Sequence, residues 1–164
     1  MNGLSLEPLT AENLPFVRMI DRSDVPLEYV DGADVLWELT QYGQEHHCLG
    51  CTFAVKYGEG YIGALLIGEA IPWETDPPQM QKEPFWRLMC FVMDRAYRGR
   101  GLGSQVLEMA VSQVYSQFGV RPIALGCHRE NVGAARFYER HGFKRTDAME
   151  GNDIYFLRYP PAGQ

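Results

Sequence analysis

Three glycines at alternate positions make one run of the sequence well suited to bind an anion: Tyr97-Arg98-Gly99-Arg100-Gly101-Leu102-Gly103-Ser104. The residues before this run are apolar and those after it show helical spacing, which predicts a turn between a strand and a helix. The first N–H groups of a helix have no partner within it and lie at the positive end of its dipole. Glycine lets the backbone of such a turn approach a bulky anion closely. Because Arg98 and Arg100 add positive charge, the run predicts a phosphate or pyrophosphate site.

Two common phosphate loops do not fit these residues. A P-loop requires lysine and then serine or threonine after its last glycine, whereas serine and glutamine follow Gly103. A Rossmann fingerprint that begins at Gly99 would need a third glycine at Ser104 and an acidic residue about 20 positions later, and the sequence has neither. The pattern that does fit is R-x-x-G-x-G, on Arg98, Gly101 and Gly103. By itself this pattern is equally compatible with a plain strand-to-helix turn.

Strands and helices alternate around the glycine-rich turn. In the second half the pattern predicts a strand over 85–93, a helix over 102–118, a strand over 122–127, a helix over 131–142 and strands over 143–146 and 153–159. In the first half it predicts a strand over 4–9, helices over 14–20 and 34–43, and strands over 52–55 and 61–71 joined by a hairpin. We therefore expect an α/β fold with a mixed sheet and helices on both faces.

The composition is that of an ordinary globular protein, with 46% hydrophobic and 22% charged residues over a length that suits one domain, 1–164. The net charge of −6 is unevenly distributed. Residues 1–83 carry 14 acidic and 4 basic side chains, whereas residues 84–164 carry 7 acidic and 11 basic ones. A basic half that contains the glycine-rich turn suits a polyanionic cofactor, and an acidic half suits a cationic partner such as an amine. The alternative is that the two halves form solvated surfaces of opposite charge that bind no particular partner.

Several classes of partner and location are disfavoured by the same composition. The basic residues are few and are not interleaved with exposed aromatic residues, so we expect no nucleic acid. The chain has no apolar run near the ~20 residues that span a bilayer, so we expect no membrane. Four cysteines are too few for a disulfide scaffold, and the N-terminal residues lack the features of a secretory signal. A cytoplasmic protein is expected.

Two long loops and one cysteine cluster need separate interpretation. The acidic loop 21–34 and the segment 72–84, which holds four prolines, are expected to be irregular and to form the acceptor side of a binding site. The cluster His46-His47-Cys48-Leu49-Gly50-Cys51 has the residue types of a zinc site or a redox pair. No second pair of ligands follows at a suitable spacing, so we expect no metal and interpret these thiols as the start of a strand.

A second motif identifies the family. The segment 131–143 matches N-x-x-A-x-x-F-Y-x-x-x-G-F at Asn131, Ala134, Phe137, Tyr138, Gly142 and Phe143. The segment 94–101 is similar to D-P-x-Y-R-G-x-G, with Arg95 in place of the usual proline. Together with R-x-x-G-x-G, these motifs resemble the GNAT superfamily of N-acetyltransferases over residues 85–158. The resemblance implies a sheet of about seven strands that splays between the strand over 85–93 and the strand over 122–127.

The same resemblance implies acetyl-CoA as co-substrate and suggests how it is held. Backbone N–H groups of Arg100 to Ser104 would bind the pyrophosphate, with Arg98 nearby, and N–H groups around Phe91 to Met93 would polarise the thioester carbonyl. The cofactor-binding residues expected in this way are Phe91, Val92, Met93, Arg98, Gly99, Arg100, Gly101, Leu102, Gly103, Ser104, Asn131, Ala134 and Phe137. Asn131 also suits the N-cap of its helix, and both roles are compatible.

Tyr138 occupies the position of the general acid of the family, which protonates the departing thiolate. A phenol is protonated at neutral pH and can donate to such a group. The alternative is a core aromatic residue on an amphipathic helix. The general base is not evident, because the strand over 85–93 contains no carboxylate. Glu69 and Glu83 are the substitutes to consider first, and either is equally compatible with a solvated surface charge. Deprotonation through water is a further alternative.

The resemblance implies an N-acetyltransferase that moves an acetyl group directly from acetyl-CoA to a primary amine of a small molecule or peptide. The acceptor is expected to be cationic, because of the acidic loop over 21–34. The alternative function is a non-catalytic module that binds or senses acyl-CoA, which the missing strand carboxylate favours and Tyr138 disfavours. The edge strands near the C-terminus make a homodimer conceivable.

Overall fold

Seven strands form one sheet in the order β1-β2-β3-β4-β5-β7-β6 in the computed structural model of the protein, which describes residues 3–162. The strands are β1 (Leu4–Pro8), β2 (Gly50–Tyr57), β3 (Gly60–Glu69), β4 (Trp86–Met93), β5 (Ile123–His128), β6 (Lys144–Glu150) and β7 (Asp153–Arg158). Neighbouring strands are antiparallel except β4 and β5, which run parallel. The predicted mixed sheet of about seven strands is confirmed. Residues 1–2 and 163–164 of the expected domain lie outside the described residues.

Helices cover both faces of this sheet. They are α1 (Leu14–Arg18), α2 (Ala33–Glu45), α3 (Pro78–Lys82), α4 (Leu102–Phe118) and α5 (Val132–Arg140). Successive side chains of β2 point to opposite faces of the sheet and show which helices cover each face. Phe53 and Val55 pack in the core that contains α4, whereas Ala54 packs in the core that contains α1 and α2. No helix among the described residues is long and apolar enough to cross a membrane.

The strands β4 and β5 separate soon after they meet. Their backbone pairing is limited to Trp86 opposite Ile123 and Arg87 opposite Ala124. Beyond Arg87, β4 continues to Met93 while β5 pairs with β7 on its other side. The predicted splay is therefore present, and it leaves one edge of β4 without a strand partner along the part that leads to the glycine-rich turn.

A β-bulge bends β4 within the same region. Ala64 pairs with Val92 and Leu66 with Met89, so β4 has one more residue than β3 between these pairs. Cys90 lies in this bulge with φ of 59°, which is uncommon for a residue other than glycine. A bulge re-aims the residues that follow it, and this one lies beyond Arg87, where the pairing of β4 with β5 ends.

The segment 72–84 is more regular than the sequence predicts. The expectation that it holds no regular element is wrong for Pro78–Lys82, which form α3. Two successive prolines explain the difference, because Pro78 is the first helical residue, where proline is favoured, and Pro77 has the extended backbone that precedes a helix. At the other end of the chain, β6 extends to Glu150 rather than ending at Thr146, since its pairing with β7 carries it through a charged sequence.

A buried ion pair fixes the segment 72–84 against the sheet. The guanidinium of Arg87 donates to both carboxylate oxygens of Asp76 at 3.2 and 3.1 Å, and both side chains are 4% exposed. The hydroxyl of Tyr155 donates to the same carboxylate at 2.7 Å, and the N–H of Trp73 donates at 2.9 Å. The Trp73 ring covers the guanidinium at 3.7 Å from its centroid. The segment therefore forms a fixed wall over β4 and β7.

Replacing Asp76 with alanine should reduce the free energy of unfolding by about 3–5 kcal/mol, because it leaves the Arg87 charge buried without a partner. Asp34→Ala is the matched control: its pair with Arg18 is exposed, with side-chain exposures of 77% and 49%, and its loss should remove about 1 kcal/mol or less. Urea unfolding of both variants measures the difference, and equal losses would contradict the structural role of Asp76.

The stabilisation that Asp76 provides depends on pH. Burial alone would raise the pKa of this carboxyl, but hydrogen bonds from Arg87, Trp73 and Tyr155 together lower it below its ordinary value of 3.8. The stabilisation is therefore complete above the ordinary pKa and is lost as the pH falls through the lowered pKa of the folded state.

Candidate active site

The gap between β4 and β5 opens into a cavity of about 510 Å³ that ends at the glycine-rich turn. Its walls come from the end of β4, from β5, from α5 and from the loop between α1 and α2. The expected cofactor-binding residues that line it are Phe91, Val92, Met93, Arg98, Gly99, Gly101, Gly103, Ser104, Asn131, Ala134 and Phe137. Two others do not line it: Leu102 is buried in the core, and Arg100 lies over the Tyr97 ring at 5.2 Å from its centroid.

The glycine-rich turn has the conformation that an anion site needs. Gly99 and Gly101 have φ of 76° and 77°, in the left-handed region where glycine is unstrained. An added Cβ at either residue would meet no atom within 4 Å, so the space beside the turn is open. Helix α4 begins directly after Gly101, and its first N–H groups have no partner within the helix. These features fit a pyrophosphate group.

Arg98 is bound to the protein itself. Its guanidinium donates to the carbonyl of Met93 from Nε at 3.0 Å and from one terminal nitrogen at 2.9 Å. It also forms an ion pair with Asp24 of the loop between α1 and α2. The pKa of Asp24 is lowered, chiefly by the hydrogen bond from Arg98. Arg98 therefore joins the end of β4 to the acidic loop and contributes its charge to the cavity from that fixed position.

Tyr138 lies at the junction of this cavity with a second one. The second cavity, of about 150 Å³, shares Tyr138, Phe91 and Gly126 with the first, together with Tyr29 and Val30 of the acidic loop. Burial raises the pKa of the Tyr138 hydroxyl, and the nearby Cys127 thiol raises it further. The phenol therefore keeps its proton throughout the neutral range.

The second cavity is rich in carboxylates. Asp31, Glu150 and Asp153 line it, along with the aromatic residues Trp73 and Tyr155. Its one lining arginine, Arg87, is already neutralised by Asp76. The surplus of negative charge suits a cationic group beside Tyr138.

Gly126 explains how Asp153 reaches this cavity. The two residues lie on neighbouring strands, and an added Cβ at Gly126 would be 3.3 Å from both Cβ and Oδ2 of Asp153. The absence of a side chain therefore leaves room for the carboxylate. Burial raises the pKa of Asp153, an effect that the charge of His128 opposes and that Glu150 and Asp31 reinforce.

The structure does not bring the two expected base candidates to either cavity. The Glu69 carboxylate accepts a hydrogen bond from the Leu49 N–H at 2.9 Å and lies 4.0 Å from Arg121. Its residue pairs with Trp86, at the opposite end of β4 from Phe91. Glu83 is exposed directly after α3. Neither lines the two cavities described above.

Glu150 and Asp153 line the second cavity although no sequence motif marks them. Asp31 belongs to the acidic loop that the sequence indicated, and Trp73 to the proline-rich segment. Glu150 and Asp153 flank an ordinary turn, and only the pairing of β7 with β5 brings them to the cavity. Within residues 3–162 no group of three His, Cys, Asp or Glu side chains is placed to hold a metal ion. Cys48 and Cys51 line neither of the two cavities.

Comparison with known proteins decides the family. The model of the acetyltransferase (GNAT) family matches residues 16–143, most of the chain. The chain belongs to the GNAT acetyltransferase family. The spermine/spermidine N(1)-acetyltransferase of Bacillus subtilis (strain 168) is 29% identical over 150 residues, which cover 92% of this chain and 93% of that protein.

Solved GNAT structures share the fold. The PaiA N-acetyltransferase of Thermoplasma acidophilum, solved in complex with coenzyme A, superposes with a TM-score of 0.70 at 16% identity over 96% of this chain and 99% of that one. The spermidine N-acetyltransferase of Vibrio cholerae, solved with CoA and spermine, gives a TM-score of 0.66 at 16% identity over 96% and 94%. This GNAT protein is an acetyl-CoA-dependent N-acetyltransferase that acts on an amine.

Proposed function

We propose that this GNAT enzyme acetylates a primary amine of a flexible aliphatic polyamine, and that the second cavity receives this acceptor. The observation that carries the proposal is the set of three carboxylates, Asp31, Glu150 and Asp153, in a cavity that adjoins the cofactor cavity at Tyr138. A volume of about 150 Å³ admits a narrow chain more readily than a folded peptide. The activity of the Bacillus subtilis relative on spermine and spermidine supports the same acceptor class.

The electrostatics of the cavity favour an ammonium group. The carboxylates of Glu150 and Asp31 raise the pKa of Asp153, which means that the three negative charges repel one another. A bound cation relieves this repulsion and replaces part of the lost hydration of each carboxylate. A neutral acceptor would leave the repulsion in place.

We propose the following roles for residues around the cofactor. Bound acetyl-CoA supplies an activated acetyl thioester. The N–H groups of Arg100 to Ser104 hold its pyrophosphate at the start of α4, and Asn131, Ala134 and Phe137 form the opposite wall of the cavity. The edge of β4 around Phe91 to Met93, which β5 leaves unpaired, provides N–H donors for the thioester oxygen.

Two side chains move protons in this proposal. The Tyr138 hydroxyl, whose pKa is raised by burial, holds a proton and donates it to the departing sulfur. The Asp153 carboxylate accepts the proton that the attacking amine loses, directly or through one water molecule. The burial that raises its pKa makes it a stronger base than an exposed aspartate. No covalent attachment to the enzyme is needed.

Location and assembly are also proposals. The cysteines Cys48, Cys51, Cys90 and Cys127 are all free, which supports a reducing cytoplasmic setting. A homodimer, if formed, has the exposed edge strand β6 available for pairing.

The acceptor class is tested by following CoA release with spermine, spermidine, a short peptide with a free N-terminus, and a neutral amine of similar length. We expect kcat/KM for the polyamines to exceed that for the peptide and the neutral amine by roughly tenfold or more, and to fall as salt screens the carboxylates. Equal rates with the neutral amine would contradict the proposed acceptor site.

Tyr138→Phe should lower kcat by roughly 10²- to 10⁴-fold and leave the Kd for acetyl-CoA nearly unchanged, because it removes only the transferable proton. Steady-state kinetics and calorimetric titration measure the two quantities separately. The control is Tyr42→Phe, which removes a hydroxyl from an exposed ring on α2 that lines neither the cofactor cavity nor the acceptor cavity. Parallel losses of turnover and of cofactor affinity would refute the general-acid role.

Asp153→Asn should lower kcat by roughly 10²-fold or more, because asparagine cannot accept the proton. In the wild type, the rate should fall as the pH drops through the raised pKa of Asp153, since the base is then protonated, and this acidic step should be missing from the variant. Glu150→Gln is the matched control, expected to raise the KM of the polyamine with a smaller effect on kcat. An unchanged acidic step in Asp153→Asn would eliminate Asp153 as the base.

A further inference from the structure

A chain of hydrogen bonds leads from the glycine-rich turn along one face of α4 to β7. Ser104, the third residue of α4, lines the cofactor cavity, and its Oγ lies 2.9 Å from Nε2 of His141. Nδ1 of His141 lies 2.8 Å from Oε2 of Glu108. The guanidinium of Arg158 then donates to both oxygens of Glu108, at 3.1 and 2.9 Å. The side chain of His141 is only 14% exposed, so this geometry is held by packing.

The charge of Glu108 fixes the position of one proton. Burial alone would raise the pKa of this carboxyl, but hydrogen bonds from Arg158 and His141 lower it below its ordinary value. Glu108 is therefore ionised and can only accept, so Nδ1 of His141 must carry a hydrogen. In the neutral ring, Nε2 then has no hydrogen and acts as an acceptor.

The direction of the hydrogen bond between Ser104 and His141 depends on whether Nε2 carries a hydrogen. When His141 is neutral, the hydroxyl donates its hydrogen to Nε2, and the oxygen presents only lone pairs to the cavity. When His141 is protonated, Nε2 donates to Oγ instead, and the hydroxyl hydrogen is released to point into the cavity. Protonation thus converts Ser104 from a group that repels an anion into one that binds it.

We propose that His141 is a positioning residue that couples proton uptake to the binding of the CoA pyrophosphate through Ser104. The inference rests on the placement of the pyrophosphate at the glycine-rich turn, proposed above. Binding of the anion favours the charged ring, both through the released hydroxyl and through direct attraction. Affinity for CoA should therefore weaken as the pH rises through the range in which histidine loses its charge.

Charged groups of both signs surround His141. Glu108 of α4 contacts the ring at Nδ1, and Arg158 of β7 pairs with the same carboxylate. On α5, the Phe137 ring packs against the imidazole at 4.8 Å between centroids. The adjacent residue is Arg140, whose guanidinium lies 5.9 Å from the centroid of Phe137.

The test is calorimetric titration with 3′-dephospho-CoA, a probe that lacks the phosphomonoester and so does not itself titrate near pH 6. Binding at pH 7 in two buffers of different ionisation heat should reveal uptake of a fraction of a proton. The Kd should rise roughly three- to tenfold from pH 6 to pH 8. His141→Gln, whose amide can still donate to Ser104 but cannot change charge, should abolish both effects. His46→Gln, which alters an exposed ring directly after α2, is the control and should retain both.

The Ser104→Ala variant separates the possible failures. We expect it to weaken binding of the probe and to reduce its pH dependence, leaving only the part that comes from direct attraction between the charged ring and the anion. Weaker binding by Ser104→Ala without proton uptake in the wild type would overturn the coupling while leaving the pyrophosphate site in place. If neither Ser104→Ala nor His141→Gln alters binding, the placement of the pyrophosphate itself is wrong. Acetylation of Ser104 found by mass spectrometry after incubation with acetyl-CoA would also overturn the proposal, because a serine–histidine–carboxylate chain then serves a nucleophile.

Discussion

The separation of β4 from β5 after a single short stretch of pairing is the constraint on which the rest of the site depends. Arg87 is the last residue of β4 that pairs with β5, and it is also the buried partner of Asp76. The ion pair, with Tyr155 as a further donor, ties three parts of the chain to the point of separation: β4, β7 and the segment 72–84. Removing either Arg87 or Asp76 would leave the other charge buried without a partner. The same ion pair therefore stabilises both the point where β4 and β5 separate and the segment 72–84 beside it.

The two ends of the gap differ in charge. At the glycine-rich turn, the start of α4 provides N–H groups and the positive end of the helix dipole. At the other end, three carboxylates line the second cavity. Tyr138 of α5 lies where the two cavities meet, and the N-cap of this helix, Asn131, comes three residues after the end of β5. A phenol that keeps its proton therefore lies between a region of positive charge and a region of negative charge.

The acidic loop contributes less negative charge to the second cavity than its composition indicates. Asp24 is paired with Arg98, Asp34 with Arg18, and Asp21 accepts hydrogen bonds from Ser23 within its own turn. Asp31 is the one carboxylate of this loop that lines the second cavity. The other two, Glu150 and Asp153, come from the half of the chain with a positive net charge. Net charge along a sequence is therefore a weak guide to the charge of a cavity, because folding mixes the two halves and local pairs consume much of the surplus.

The sequence by itself determined the features that depend on neighbouring residues. The turn at Gly99 and Gly101, helix α4, the Asn131 cap and the family motif around Tyr138 are all encoded within a few residues of where they act. Only the tertiary structure decided that Asp153 lines the second cavity and Glu69 does not, and that His141 contacts Ser104 from 37 positions away. The reason is that strand register and helix packing are set by contacts between residues far apart in the sequence. The space beside Gly126 that Asp153 occupies, for example, forms only when β7 pairs with β5.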